Sequence, residues 1–233
     1  MKNARKVYAK SDEELYVFSG RVYKVTDRGS YASVTFAENE HDSEIKYISV
    51  MCFSNNGGAG VDHKSIATQA ETLRQSLTGN DVLFATIVAV KQSAPDGKVN
   101  YKARSTSFVV TEKDKYSINK NPVRAFFKPE QCEDVRIMSG FATGVFANEN
   151  GKFKSVSFRA DTNDKNAGFV SAKCFPPYNG ANTRINCFDN ATAVESNIAA
   201  GEGTHTVVVC LEKEYNGSPT YNALTVTYAV RKK

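Results

Sequence analysis

Apolar and polar residues alternate through most of this chain, and the alternation predicts strands rather than helices. In LYVFSGRVYKV (15–25), SYASVTFAE (30–38) and IKYISVMCF (45–53) the apolar positions tend to recur at every second residue, the period of a half-buried strand. The turn Asp27-Arg28-Gly29 separates the first two, and the polar loop NEHDSE separates the second from the third. A glycine-rich loop, SNNGGAG, follows. The period then changes: in SIATQAETLRQSL, Ile66, Ala70, Leu73 and Leu77 recur at helical spacing, and Gly79 offers a stop. DVLFATIVAV and YKARSTSFVV flank APDG, a hairpin signal. The predicted order is three strands, a helix and two strands.

The same landmarks then return. SVTF at 33–36 reappears as SVSF at 155–158, a spacing of 122 residues. That spacing also sets Cys52-Phe53 on Cys174-Phe175, Tyr31 on Phe153, Tyr47 on Phe169 and Gly79 on Gly201. A spacing of 120 sets Ser19-Gly20 on Ser139-Gly140 and Asp96-Gly97 on Asn216-Gly217. The same 120 relates Tyr101-x-Ala103 to Tyr221-x-Ala223, and Phe108-x-Val110 to Tyr228-x-Val230. The small changes of spacing fall where loops absorb them. The chain therefore reads as one domain written twice, at 12–112 and 135–233, joined by a linker at 113–134. The second copy repeats the element order, with a shorter helix around ATAVESNIAA. The linker is charged and holds Pro122 and Pro129, and its Phe126 and Phe127 are expected to cover a surface.

Five strands with a helix between the third and fourth describe an all-β fold: two tandem OB-folds, each a five-stranded Greek-key barrel. An open α+β sheet and a different small barrel are the alternatives. Strand parity separates interior from surface. Val34, Phe36, Ile48, Val50 and Cys52 point inward; Tyr31, Ser33, Thr35, Tyr47, Ser49, Met51 and Phe53 point outward. In the second copy Val156, Phe158, Val170, Ala172 and Cys174 point inward, leaving Phe153, Ser155, Ser157, Phe169, Ser171, Lys173 and Phe175 outside.

Aromatic, hydroxyl and cationic side chains along one face suit a nucleic-acid strand, because every base has a π-face and every phosphate takes a positive charge or a donor. The candidate stacking residues are Tyr31, Tyr47, Phe53, Phe153, Phe169 and Phe175. The candidate phosphate partners are Arg21, Lys24, Lys46, Lys91, Lys102 and Arg104 in the first copy, and Lys154, Arg159 and Lys173 in the second. The plainer reading packs the aromatics against the other copy, the linker or a second chain, and leaves the lysines solvated.

Composition adds bounds. Of 233 residues 41% are hydrophobic, enough for ordinary cores; Phe and Tyr number 14 and 11, and Trp is absent. Thirty Lys and Arg against 25 Asp and Glu give a net charge of +5, which permits an anionic partner without demanding one. No stretch approaches the roughly 18 apolar residues of a membrane span, and the basic N-terminus lacks the apolar core of a secretory signal. The five cysteines are odd in number and widely spread, none in a CxxC pair, and His41, His63 and His205 do not stand near them at metal-ligand spacing. A reduced, cytoplasmic setting is expected, with Cys52 and Cys174 as small buried hydrophobes and with no metal or cofactor. No GxxxxGK[ST] loop, HExxH, DxDxDG or nucleophile elbow occurs, so no enzyme is expected.

The first copy resembles the bacterial single-stranded DNA-binding protein family through SGRVYKV, SVTFA, KYISVMCF, ATQAETL, GNDVLFATIVAV and DGKVNYKARSTSFVV. The second is similar through SGFATGV, SVSFRA, FVSAKCF, GEGTHTVVV and NGSPTYNALTVTYAV. The resemblance implies OB-folds, sequence-tolerant binding of single-stranded DNA in replication, recombination or repair, and no catalysis. It also implies four OB-folds per assembly, hence a homodimer of this two-copy chain. Two features depart from the family. Members carry Trp at several stacking positions, and bacterial members usually end in a Gly/Pro-rich stretch with an acidic tip that recruits partners, whereas this chain ends YAVRKK. The missing tip and the fused repeat point to a specialised version from a phage or mobile element. An OB-fold protein-interaction scaffold and a binder of single-stranded RNA are the competing functions.

Overall fold

Alternation becomes strand almost everywhere in the computed structural model, which is mostly β, with thirteen strands and two helices among the described residues. These residues are 4–8, 10, 13–37, 47–54, 61–116, 126–127, 134–176 and 187–231. Lys46, Cys132, the NEHDSE loop and most of SNNGGAG lie outside them. The chain divides into two compact units. Unit one is Val7–Glu133; unit two is Asp134–Arg231 together with the N-terminal residues up to Lys6.

A two-residue strand, β1 (Arg5–Lys6), comes first in the chain. Unit one then runs β2 (Leu15–Asp27), β3 (Tyr31–Ala37), β4 (Tyr47–Phe53), α1 (His63–Gln75), β5 (Asp81–Ser93), β6 (Val99–Tyr116) and the short β7 (Phe126–Phe127). Residues 113–116, read from the sequence as the start of the linker, continue β6. Neighbours β2, β3 and β4 pair antiparallel, β4 pairs parallel with β6, and β5 pairs antiparallel with both β6 and β2. The pairings close on themselves: β2–β3–β4–β6–β5 and back to β2. Closure leaves these strands without long open edges.

Unit two contains β8 (Val135–Phe141), β9 (Gly144–Ala147), β10 (Lys154–Arg159), β11 (Phe169–Cys174), α2 (Cys187–Ala199), β12 (Thr204–Tyr215) and β13 (Ser218–Arg231). Here β8 and β9 are successive pieces of what is a single strand, β2, in unit one. The pairings run β9–β10–β11–β13–β12–β8, the same ring. The match extends to irregularities. A β-bulge shifts the register between Val88 and Ala89 in unit one, and between Val209 and Cys210 in unit two. Gly20 and Gly140 take φ of +156° and +143° within their strands, a backbone that residues with a Cβ rarely adopt.

Each ring holds its own core, and parity places it. Phe18, Val34, Phe36, Val50, Cys52 and Ala103 are buried in unit one; Met138, Val156, Phe158, Ala172, Cys174 and Ala223 fill the corresponding places in unit two. Burying Phe36 or Phe158 is worth about 1.5–3 kcal/mol of apolar transfer. Val170, expected inside, is partly buried and packs against the core.

The helices depart from the sequence pattern. Asp62 caps α1, its carboxylate accepting from the Ser65 N–H at 3.0 Å. The buried stripe of α1 is His63, Ala67 and Ala70, while Leu73, expected on it, is 44% exposed. Two alanines at the contact let the helix axis approach the ring more closely than leucines do. Helix α2 is not shorter than α1: each has 13 residues. It starts at Cys187, with Asp189 in the first turn, where a negative charge favours the helix dipole, and with Asn190 Nδ2 donating to the Val226 carbonyl at 2.6 Å.

The short strands connect across the repeat. Strand β1, which precedes the first copy, pairs antiparallel with β8 of the second copy (Arg5 opposite Ile137, Lys6 opposite Arg136). Strand β7, which precedes the second copy, pairs antiparallel with β2 of the first (Phe127 opposite Leu15, Phe126 opposite Tyr16). The pairs Lys6–Arg136 and Phe126–Tyr16 occupy the same place in the repeat, with the copies interchanged. Each copy's leading segment thus adds a strand to its sibling. No helix among the described residues is long and apolar enough to cross a membrane.

Candidate functional site

In unit one the outward side chains of β2, β3 and β4 form rows across the strands. Thr35 and Ser49 are directly opposite, their hydroxyls 2.8 Å apart, and Lys24 stands opposite Thr35 on the other side. Toward one end of the face, Tyr31 is opposite Phe53, ring centroids 5.0 Å apart. The Lys102 ammonium, from β6, lies 4.8 Å from the centre of the Phe53 ring. Toward the other end, Tyr47 meets Tyr23 at 4.7 Å between centroids. Interaction with the Tyr23 hydroxyl, and secondarily burial, holds the Tyr47 phenol above its ordinary pKa.

Unit two repeats this face with substitutions. Ser157 and Ser171, which correspond to Thr35 and Ser49, have their hydroxyls 2.6 Å apart. Phe153 and Phe175 correspond to Tyr31 and Phe53, with centroids 5.4 Å apart. The cation moves by one strand. Unit one pairs Met51 on β4 with Lys102 on β6, while unit two pairs Lys173 on β11 with Asn222 on β13. Lys173 still reaches an aromatic ring, with its Nζ 5.4 Å from the centre of Phe153. At the far end Phe169 is opposite Arg159, whose guanidinium lies 5.6 Å from the ring centre. Such cation–π contacts are worth about 0.5–1 kcal/mol at exposed sites, so they position the cations without fixing them.

All six aromatic candidates therefore lie on these two faces. Tyr47 is 47% exposed and Phe169 64%; the other four are partly covered by each other. The cations divide. Lys24, Lys102, Arg159 and Lys173 belong to the faces. Arg104 is committed elsewhere: its Nη2 donates to both Glu13 carboxylate oxygens, at 2.8 and 3.1 Å, in a pair whose side chains are 11% and 16% exposed. Lys91 pairs with Glu14 at 3.1 Å, and hydrogen bonds from Tyr16 and Lys91 hold that carboxylate below its ordinary pKa. Lys154 pairs with Glu195 at 2.6 Å. Arg21 stands opposite Phe84, where β2 pairs with β5 rather than with β3. Lys46 lies outside the described residues.

Two aromatics on these faces escape parity. Tyr23 sits where the β2–β3 register skips a residue between Val22 and Lys24, so Tyr23 and Lys24 are consecutive and both exposed. Phe146, also highly exposed, stands on β9 opposite Ser155, and its ring folds over Gly144, where a Cβ would come within 3.0 Å of it. A repeat spacing of 120 from outward-facing Thr26 was the available signal for Phe146. With these, each face carries four aromatic rings.

Cys52, Cys174, Cys187 and Cys210 are buried thiols outside any disulfide; burial pushes the Cys52 thiol up to about 12 and raises those of Cys174 and Cys210. Such thiols are poor nucleophiles at neutral pH. Among the described residues no cluster of His, Cys, Asp or Glu is arranged to hold a metal ion. No protein-family model matches the chain, and no curated protein matches it.

Proposed function

We propose that this chain is a non-enzymatic binder of single-stranded DNA, made of two tandem OB-folds and acting in replication, recombination or repair. The strand order supports the fold part of this reading. Three antiparallel strands, a helix and a hairpin, with a parallel contact between third and fifth strands and an antiparallel one between first and fourth, are the order expected of a five-stranded Greek-key barrel. The observation that carries the functional part is the doubled face. Aromatic pairs and hydroxyl pairs occur at matching places on both rings, and each face also sets a cation beside an aromatic ring, although the residues and the cation's strand differ. A core requirement does not explain the coincidence, because these side chains point away from the core. A stacking platform flanked by cations does explain it, since bases and phosphates need both along one track.

Titrating fluorescently labelled oligo-dT with the full chain at low salt tests the proposal. Saturable binding that weakens as salt rises is the expected result. Absence of binding at micromolar protein would favour a protein-interaction scaffold, with the aromatics as its contact surface. An oligo-rU titration in parallel separates DNA from RNA preference.

A further inference from the structure

The two faces are alike in shape but not in polarity. In unit one, three of the four rings belong to tyrosines: Tyr23, Tyr31 and Tyr47, beside Phe53. In unit two all four are phenylalanines: Phe146, Phe153, Phe169 and Phe175. A phenylalanine offers a base only its π-face, which every base can use. A tyrosine adds a hydroxyl that donates and accepts hydrogen bonds, and base edges differ in their donors and acceptors.

The Tyr23–Tyr47 pair sharpens this difference. The two rings lie 4.7 Å apart between centroids, and each carries a phenol hydroxyl that can donate one hydrogen bond and accept others. The pair is half-exposed at the end of β4, so these atoms meet solvent or ligand and not the core. At the equivalent end of β11, Phe169 has the Arg159 guanidinium beside its ring and no hydroxyl. The place of Tyr23 in the repeat is held by Thr143, which has no ring and whose hydroxyl hydrogen is committed to the Ser157 carbonyl at 3.0 Å.

Building on the single-strand reading, we infer that the two units divide the work: unit one carries a base preference through its tyrosine hydroxyls, with Tyr23 and Tyr47 as the specificity-determining pair, and unit two holds any single strand alike through its phenylalanines. The chain then binds all single strands but ranks them, and the ranking comes from one half of the molecule. Losing a neutral hydrogen bond of this kind changes an equilibrium by about three- to tenfold.

The experiment uses the full chain and equally long oligo-dT, oligo-dA and oligo-dC. The wild-type protein should rank them, with about threefold or more between best and worst. The double substitution Tyr23→Phe with Tyr47→Phe keeps both rings and removes both hydroxyls, and it should bring the ratios close to one. Tyr31→Phe alone should narrow them less. Phe169→Ala should weaken all three oligonucleotides by the same factor and leave the ranking intact. Equal wild-type affinities, or a ranking that survives the double substitution, would overturn the inference while leaving single-strand binding standing. Failure to bind any of the three would instead remove the function on which it rests. Circular dichroism of each variant checks that the fold is retained.

Discussion

Tyr47 and Phe169 hold equivalent places on β4 and β11, and both are too exposed to support a core. A base stacked on an aromatic side chain is worth about 1–3 kcal/mol by alanine substitution. Tyr47→Ala and Phe169→Ala should therefore each weaken oligo-dT binding about tenfold, with little change in melting temperature. A variant that unfolds but binds normally while folded would return these rings to a structural role. A second residue-scale expectation concerns His205. Burial, and secondarily the Arg231 charge, lower its pKa from 6.5 to about 4, and its buried Nδ1 has no hydrogen-bond partner among the described residues. The folded state thus keeps the ring neutral where the unfolded state takes up a proton. Stability is full above pH 6.5 and falls as pH drops from there toward 4, by up to about 3 kcal/mol. Urea melts at pH 7.5 and 5 should show the loss in wild type and a smaller one in His205→Gln. Parity was enough to place all six aromatic candidates on the outer faces. It could not find Tyr23, because one bulge residue inverts the alternation locally. Nor could it see that Arg104 is spent on Glu13, a partner 91 residues away in sequence.

At the scale of elements, periodicity announced the helix α1 and its buried Ala70, with Leu77 packed against the core, but misplaced Leu73. Leucine is the more hydrophobic residue, so Leu73 was drawn onto the stripe in place of Ala67. The packing selects small residues, the expected Ala70 and the unforeseen Ala67, where helix and ring come together. Ala67→Leu should cost about 1–3 kcal/mol by overpacking. Leu73→Ala should stay within about 0.5 kcal/mol, as surface changes do. Chemical denaturation of the two variants compares them directly, and equal losses would put Leu73 back in the core. The first turn of α2 was missed for a different reason. Cys187, Phe188, Asp189 and Asn190 all have modest helix propensity, and what holds them helical is tertiary: a buried Cys187 and the Asn190–Val226 hydrogen bond. The strands were more legible, since their alternation is imposed by a core on one side only, and the repeat supplied each prediction twice.

For the whole molecule, the proposed function turns on charge and assembly. Four cations lie on the faces, and each phosphate neutralised on a single strand contributes about −0.7 to the slope of log affinity against log salt. Full engagement of Lys24, Lys102, Arg159 and Lys173 predicts a slope of about −3, made shallower by about 0.7 in Lys102→Gln or Lys173→Gln. A flat line would reduce these residues to solvated surface charges. Four OB-folds per assembly, as the family resemblance implies, predict a dimer, so light scattering should give about twice 25.6 kDa. A mass of one chain, with and without oligonucleotide, would refute it. The pairing of β1 with β8 and of β7 with β2 was invisible in the sequence, because two residues carry no periodicity. It has a practical consequence for anyone dissecting the chain. Trimming at 12–112 removes β7 from unit one, and trimming at 135–233 removes β1 from unit two, so each fragment loses a strand that its own unit contains. The boundary of each folded unit is therefore not the boundary of the repeat: a stretch of chain written before one copy is built into the unit of the other.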